Sequence, residues 1–157
     1  MTPAIQKLKR HKVNYELLTY QHDLHSTAYG LEVVEKLALN AEQVFKTLVI
    51  CTDCQQLVVA LVPVNAQLNL KTLAKVLSVK KVNMADVKQV EKSTGYILGG
   101  VSPLGQKKTL RTIIDASAQS FELIYISGGK RGLEVALCPN ELAKLSQANF
   151  ALISHQR

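Results

Sequence analysis

A mixed fold, α/β or α+β, with a large mixed sheet either open or closed into a barrel, is what this sequence predicts. Three observations carry that expectation. Helix-period segments are interspersed with many short strand-like runs. Two of those runs, "TLVICT" and "LVVALVPV", follow one another across a turn and read as a buried hairpin. No repeat, low-complexity tract or linker divides the 157 residues, a length that buries one substantial core, so residues 1–157 are read as a single domain.

The elements follow in order. Thr2 before Pro3 is a helix start, with proline at the first helical position, where its missing N–H costs nothing; Ile5 and Leu8 supply that helix's apolar face. "NYELLTY" alternates as a strand does, and "QHDLHS" is a loop. The periodicity predicts a helix over residues 30–39 with Leu31, Val34, Leu37 and Ala38 on one stripe. Asn40 then caps a short turn, with Gln43 placed as in a capping box. After the hairpin, "NLKTLAKVLS" is a helix capped by Asn69, "KKVNM" a short strand, and residues 86–93 a helix ended by Gly95. "YILGG", "TIID", "FELIYIS" and "LEVALC" are strand-like. A last helix, "PNELAKLSQ", begins at its proline and leaves "ANFALISHQR" as a final strand.

With 47% hydrophobic and 20% charged residues, the balance is that of a folded globular chain and excludes a disordered one. Its apolar runs are strand-length, far below the ~18 residues of a membrane span. "MTPAIQKLKRHK" has no apolar stretch before its charges, so no secretory signal, no membrane and a cytoplasmic location are expected. The net charge of +7 is clustered, at Lys7, Lys9, Arg10 and Lys12, at Lys80 and Lys81, at Lys107, Lys108 and Arg111, and at Lys130 and Arg131. Such clusters attract polyanions; they serve equally as solvated faces.

Several chemistries lack the residues they need. Cys51 and Cys54 form C-x-x-C, but the pair closes one strand and opens another instead of starting a helix, and Cys138 alone does not complete a zinc set. Reduced structural or surface thiols are the reading. His22, Asp23 and His25 form H-D-x-H in a loop with no second cluster to complete a metal site; His11 and His155 are read as surface residues. Gly100 and Gly105 have P-loop separation, yet Gln106 follows where lysine should, and "LRTIID" reads as strand instead of helix. No G-x-S-x-G elbow is present. No metal or cofactor is expected, and no protein nucleophile is evident.

What remains is a set of glycine pairs and one lysine. Gly99-Gly100 and Gly128-Gly129 each end an apolar run and precede basic residues. They are either tight turns or places where a ligand meets main-chain N–H donors. Lys46, between Val44-Phe45 and Leu48-Val49-Ile50, is either a gatekeeper on an edge strand or a charge aimed into a pocket.

The blocks "TYQHD", "GLEVVEKL", "VFKTL", "STGY", "LGGVSPLGQKK" and "SGGKRG", in this order and almost end to end, resemble the YbaK family of aminoacyl-tRNA deacylases, related to the editing domain of bacterial prolyl-tRNA synthetase. The resemblance implies a mixed β-barrel-like sheet surrounded by helices, and hydrolysis in trans of cysteine mischarged onto tRNA(Pro). It also implies that the substrate's own thiol attacks the ester. Lys46 falls on the family's lysine, with an electrostatic role, and Gly99 and Gly100 on its glycine pair, with N–H groups for the ester. Tyr20, Tyr29, Thr47, Ser102, Ser127, Gly128 and Glu134 are the implied substrate-binding set. Glu134 stands where relatives often have aspartate, and Tyr29 where phenylalanine is common. The implied partners are the 3′-end of tRNA(Pro) and prolyl-tRNA synthetase. The alternatives are a deacylase for another error, such as Ala-tRNA(Pro), and a non-catalytic nucleotide- or RNA-binding module.

Overall fold

Thr2 accepts a hydrogen bond from the Ile5 N–H and starts helix α1 (Pro3–Arg10), which buries Ala4, Ile5 and Leu8. The same hydroxyl donates to the Gly128 carbonyl, tying the start of the chain to the second glycine pair. The computed structural model describes residues 1–156. Strand β1 (Tyr15–Thr19) is followed by α2 (Tyr29–Leu37), the hairpin β2 (Phe45–Thr52) and β3 (Leu57–Pro63), β4 (Ala66–Leu68) and α3 (Leu70–Leu77). Then come β5 (Val82–Met84), α4 (Val87–Thr94), β6 (Arg111–Asp115), a 3-10 turn (Ala116–Ser120), β7 (Ile124–Ser127), β8 (Leu133–Leu137), α5 (Pro139–Ser146), β9 (Asn149–Ala151) and β10 (Ser154–Gln156).

The fold is mixed α/β. Its main sheet runs β5-β2-β3-β6-β9, antiparallel across the first three strands and parallel across the last three. A second, antiparallel sheet runs β1-β8-β7, and β10 pairs with β4. The sheets do not close into one barrel. The first two meet at a corner, where Val44 bridges Tyr125 and the Tyr125 N–H donates to the Gln43 carbonyl at 2.9 Å.

β3 reads as a continuous apolar run because both of its faces are buried. Val59 and Leu61 join α1 and the second sheet in one core, while Val58, Ala60 and Val62 pack with Leu73, Ala74 and Leu77 of α3 in another. A smaller cluster of Val33, Val44 and Val64 sits under α2.

Four local expectations are corrected. The buried stripe of α2 is Gly30-Val33-Val34-Leu37, one position earlier than read, leaving Leu31 45% exposed. The cause is Gly30: a Cβ there would lie 2.5 Å from Val64 Cγ1, so only glycine lets the helix seat on that face. Asn40 caps its turn through the Glu42 N–H, but Gln43 closes no box, because its side chain donates to the Leu123 carbonyl instead. "YILGG" is a turn, not a strand, with the Gly100 N–H bonded to the Ile97 carbonyl. The last segment is two strands, because the Ile153 N–H goes to Asp115 and its carbonyl accepts from the Asn69 N–H.

Candidate active site

β2 pairs with β3 over residues 45–51 but with β5 only over residues 50–52, so its first half is an open edge. A cavity of about 340 Å³ lies where that edge meets the start of α2, the 98–101 turn and the β7–β8 pair. Lys46 and Thr47 line it together with Tyr29, Gly99, Ser127 and Glu134. Both readings of Lys46 therefore meet in one place: it is on a strand edge, and that edge is a cavity wall. Beyond Thr47, the Val49 carbonyl accepts the Ala85 N–H. Strand alternation turns the N–H and C=O of Thr47 the same way, toward the edge that β5 leaves uncovered.

Glu134 sits on β8, the central strand of the second sheet, opposite Ser127 on one side and Leu18 on the other. It is 6% exposed, and its Oε2, like the Thr47 hydroxyl, is buried without a hydrogen-bond partner among the described residues. Burial alone pushes its pKa up to about 8. A carboxyl in that state is neutral at pH 7 until a cation enters beside it.

The other wall is a strap. Arg131 donates from Nε to the Leu98 carbonyl at 2.8 Å and from Nη2 to the Tyr29 hydroxyl at 3.1 Å. Gly99 fits beneath it with φ +87°, where an added Cβ would lie 2.7 Å from Arg131 Nε and 2.8 Å from the Tyr29 ring. Both the backbone conformation and the space demand glycine.

Of the expected site residues, Lys46, Thr47, Tyr29, Gly99, Ser127 and Glu134 are thus brought to one cavity, and four are placed outside its lining. Gly100 packs on the Lys130 backbone and spends its N–H on Ile97. Ser102 is fully buried and accepts the Leu104 N–H, holding the following turn. Gly128 donates to the Leu133 carbonyl and accepts from Thr2. Tyr20 stands behind the wall against the Val33–Val44–Val64 cluster. Burial raises its hydroxyl's pKa against the lowering effect of a Gly132 backbone bond, and the carboxyls of Glu134 and Glu32 raise it further. Arg131 and Leu98 went unassigned in sequence. The one available signal was a basic pair, Lys130-Arg131, directly after a glycine pair.

The cavity lining contains no cysteine or histidine. The described residues hold no group of three or more His, Cys, Asp or Glu able to bind a metal. His22 of the H-D-x-H loop pairs instead with Glu32 at 2.6 Å. The chemistry on offer is a fixed cation, main-chain and hydroxyl hydrogen bonds, and one buried carboxyl. No described helix is long and apolar enough to cross a membrane.

Residues 25–145 match the aminoacyl-tRNA editing domain family. The chain is 38% identical over 154 residues to EbsC of Enterococcus faecalis, described as a candidate Cys-tRNA(Pro)/Cys-tRNA(Cys) deacylase, covering 98% of this chain and 93% of that one. The hypothetical protein APE2540 has the same fold, with TM-score 0.87 at 23% identity over 98% of this chain and 99% of that one. So does a candidate trans-editing enzyme for prolyl-tRNA synthetase, with TM-score 0.82 at 20% identity over 99% of each chain.

Proposed function

This chain belongs to the aminoacyl-tRNA editing domain family, and from that membership we propose that it is a trans-acting deacylase that removes cysteine from mischarged Cys-tRNA(Pro). The observation that carries the reading is the cavity. It is near the small end of ligand sites, about 300–1,000 Å³, and sets Lys46, the Thr47 hydroxyl and the Glu134 Oε2, the last two without hydrogen-bond partners among the described residues, around space for one aminoacyl group.

A lining without cysteine or histidine favours a nucleophile brought by the substrate. The cysteine thiol loses its proton, and the thiolate attacks the ester carbonyl carbon. The bond from that carbon to the ribose oxygen breaks, and the oxygen leaves with the electron pair and takes up a proton. The product is a cyclic thiolactone, which water opens to free cysteine. The Lys46 ammonium holds the charge developing on the ester oxygens, with the Thr47 N–H at the strand edge as a second donor. Glu134 receives the α-ammonium, which draws its carboxyl into the ionised form. Proline offers no thiol, and the serine hydroxyl supplies far less anion at neutral pH.

This chemistry reads the amino acid and leaves the tRNA body unread. Choice of tRNA(Pro) is then a task for a partner, prolyl-tRNA synthetase being the one we propose. Cys-tRNA(Cys), which the EbsC description includes, is an expected second substrate for the isolated chain.

Single-turnover assays with native Cys-tRNA(Pro), S-alkylated Cys-tRNA(Pro) and Ala-tRNA(Pro) test the proposal. Loss of cysteine from the native ester alone is expected. Equal hydrolysis of the alkylated ester would exclude the substrate-thiol step. Hydrolysis of none would leave a binding module.

A further inference from the structure

A second cavity, of about 490 Å³, opens on another side of the 98–110 segment, where the ends of α1 and α5 converge on the turn before β6. Its charged lining residues are Lys7, Lys108 and Lys144, with His11 beside them and no aspartate or glutamate. None of these three lysines forms a salt bridge with a carboxylate of the described residues. A neighbouring depression shares Thr109 and Leu110 with this cavity and adds Arg111, which extends the basic strip.

The bland account is that lysines gather at helix C-termini to offset the dipole. Both helices do end here: the α1 cap residue His11 and the α5 cap residue Gln147 line the cavity. Magnitudes decide against that account being sufficient. Two C-termini carry together about one negative charge, against three lysines, which leaves a surplus of about two positive charges before Arg111 is counted. The same geometry argues against a small bound phosphate. No helix N-terminus points into the cavity, and Lys108 and Lys144 stand exposed on its rim as point charges. That pattern suits a repeating polyanion, which needs charges along a strip instead of a closed cradle.

We infer that this strip is a docking site for the phosphate backbone of the RNA whose 3′-end enters the reaction cavity. The inference rests on the deacylase reading above. Val101 lines the first cavity and Pro103 the second, so their Cα atoms lie within about 7 Å of each other. The two cavities thus meet at the 101–103 stretch, which sets the strip beside a wall of the cavity that would receive the 3′-end.

The test compares the wild type with the triple variant Lys7→Gln/Lys108→Gln/Lys144→Gln on two substrates, full-length Cys-tRNA(Pro) and the cysteine ester of a CCA trinucleotide, with filter binding of uncharged tRNA across a salt series. The expected result is a fall of at least tenfold in kcat/KM for the tRNA relative to the short ester. The slope of log Kd against log salt should also drop by about two to three, close to one per lysine removed. An unchanged substrate ratio and salt slope in a folded triple variant would overturn the inference. So would inorganic phosphate binding that depends on the three lysines while tRNA affinity stays the same. If the wild type hydrolyses neither ester, the deacylase reading fails by itself, and the salt slope still decides the docking site.

Discussion

Arg131 lies over the ring of Tyr29, its guanidinium carbon 4.8 Å from the ring centroid, while its Nη2 donates to that same residue's hydroxyl. One side chain thereby fixes two walls of the reaction cavity, since its Nε also holds the Leu98 carbonyl beside Gly99. The Tyr29 hydroxyl has a definite task here: it is the acceptor that orients the arginine.

Arg131→Ala is expected to leave the fold intact, because a partly exposed cation–π pair contributes about 0.5–1 kcal/mol. It should nevertheless reduce kcat/KM several-fold by releasing the Leu98–Gly99 turn. Gly99→Ala should do more damage, losing both the left-handed conformation and the space under the strap. Steady-state deacylation of the two variants, with thermal melts alongside, checks the order. An Arg131→Ala enzyme as active as the wild type would show that the strap does no positioning.

Lys46→Ala should reduce single-turnover hydrolysis about 10²- to 10³-fold, the usual size for losing one donor to a developing oxyanion. The melting temperature should barely move, since Lys46 is half-buried on a strand edge and its ladder partner Val62 is unaffected. Lys46→Arg should rescue little, because a planar fork does not replace a compact ammonium. Binding of uncharged tRNA by both variants separates lost chemistry from lost docking.

How much of this was legible in sequence depends on what each residue answers to. Thr2-Pro3, Asn69 and Gly95 act within their own turns, and each caps the helix end that its spacing indicated, while Asp86, read as helical, is the N-cap one residue before its helix. The hairpin's apolar runs were equally plain. The α2 stripe was misread by one position because Gly30, a residue without apolar signal, packs against Val64, the residue just after β3. "YILGG" looked like a strand because its apolar residues serve a turn: Tyr96 is buried and donates to the Leu104 carbonyl, while Ile97 and Leu98 stay exposed. For the site, Lys46 was visible as a misplaced charge. Glu134 and Ser127 are neighbours only through the β7–β8 register, and Arg131 meets Tyr29 across 102 positions, which local pattern does not encode.

Glu134 gives stability a pH dependence of definite sign. Its pKa is about 8 when folded against an ordinary 4.5, so the folded state holds a proton that the unfolded chain gives up. Its contribution to stability is fully present below about pH 4.5 and is lost as pH rises to about 8. Glu134→Gln should flatten that window and be the more stable protein at pH 8.5, as denaturant midpoints at several pH values will show. The same variant should raise KM for Cys-tRNA at pH 7, since an amide cannot become the anion that pairs with the α-ammonium. A wild-type midpoint independent of pH from 5 to 8 would mean that the carboxyl is already paired.

Glu32 works in the opposite direction and in a separate window. Burial would raise its pKa, but the Asp23 N–H, His22 and Lys36 outweigh burial and hold it at about 2. Its ionised form is favoured by folding, so the stability it supplies is present above about pH 4.5 and is lost as pH falls toward 2. The bonds also do positional work. Glu32 takes the Asp23 N–H at 2.8 Å and His22 at 2.6 Å, and Lys36 donates to the Gln21 carbonyl. Together they pin residues 21–23 to α2, whose first residue, Tyr29, lines the reaction cavity. Glu32→Gln should therefore remove part of the acid transition below pH 4.5 and raise KM with little change in kcat at pH 7.5. Restored KM in Glu32→Asp, with the acid transition partly regained, would identify the carboxylate as the tether. Loss of kcat alone, with KM unchanged, would place Glu32 in the chemistry instead of in the positioning of Tyr29.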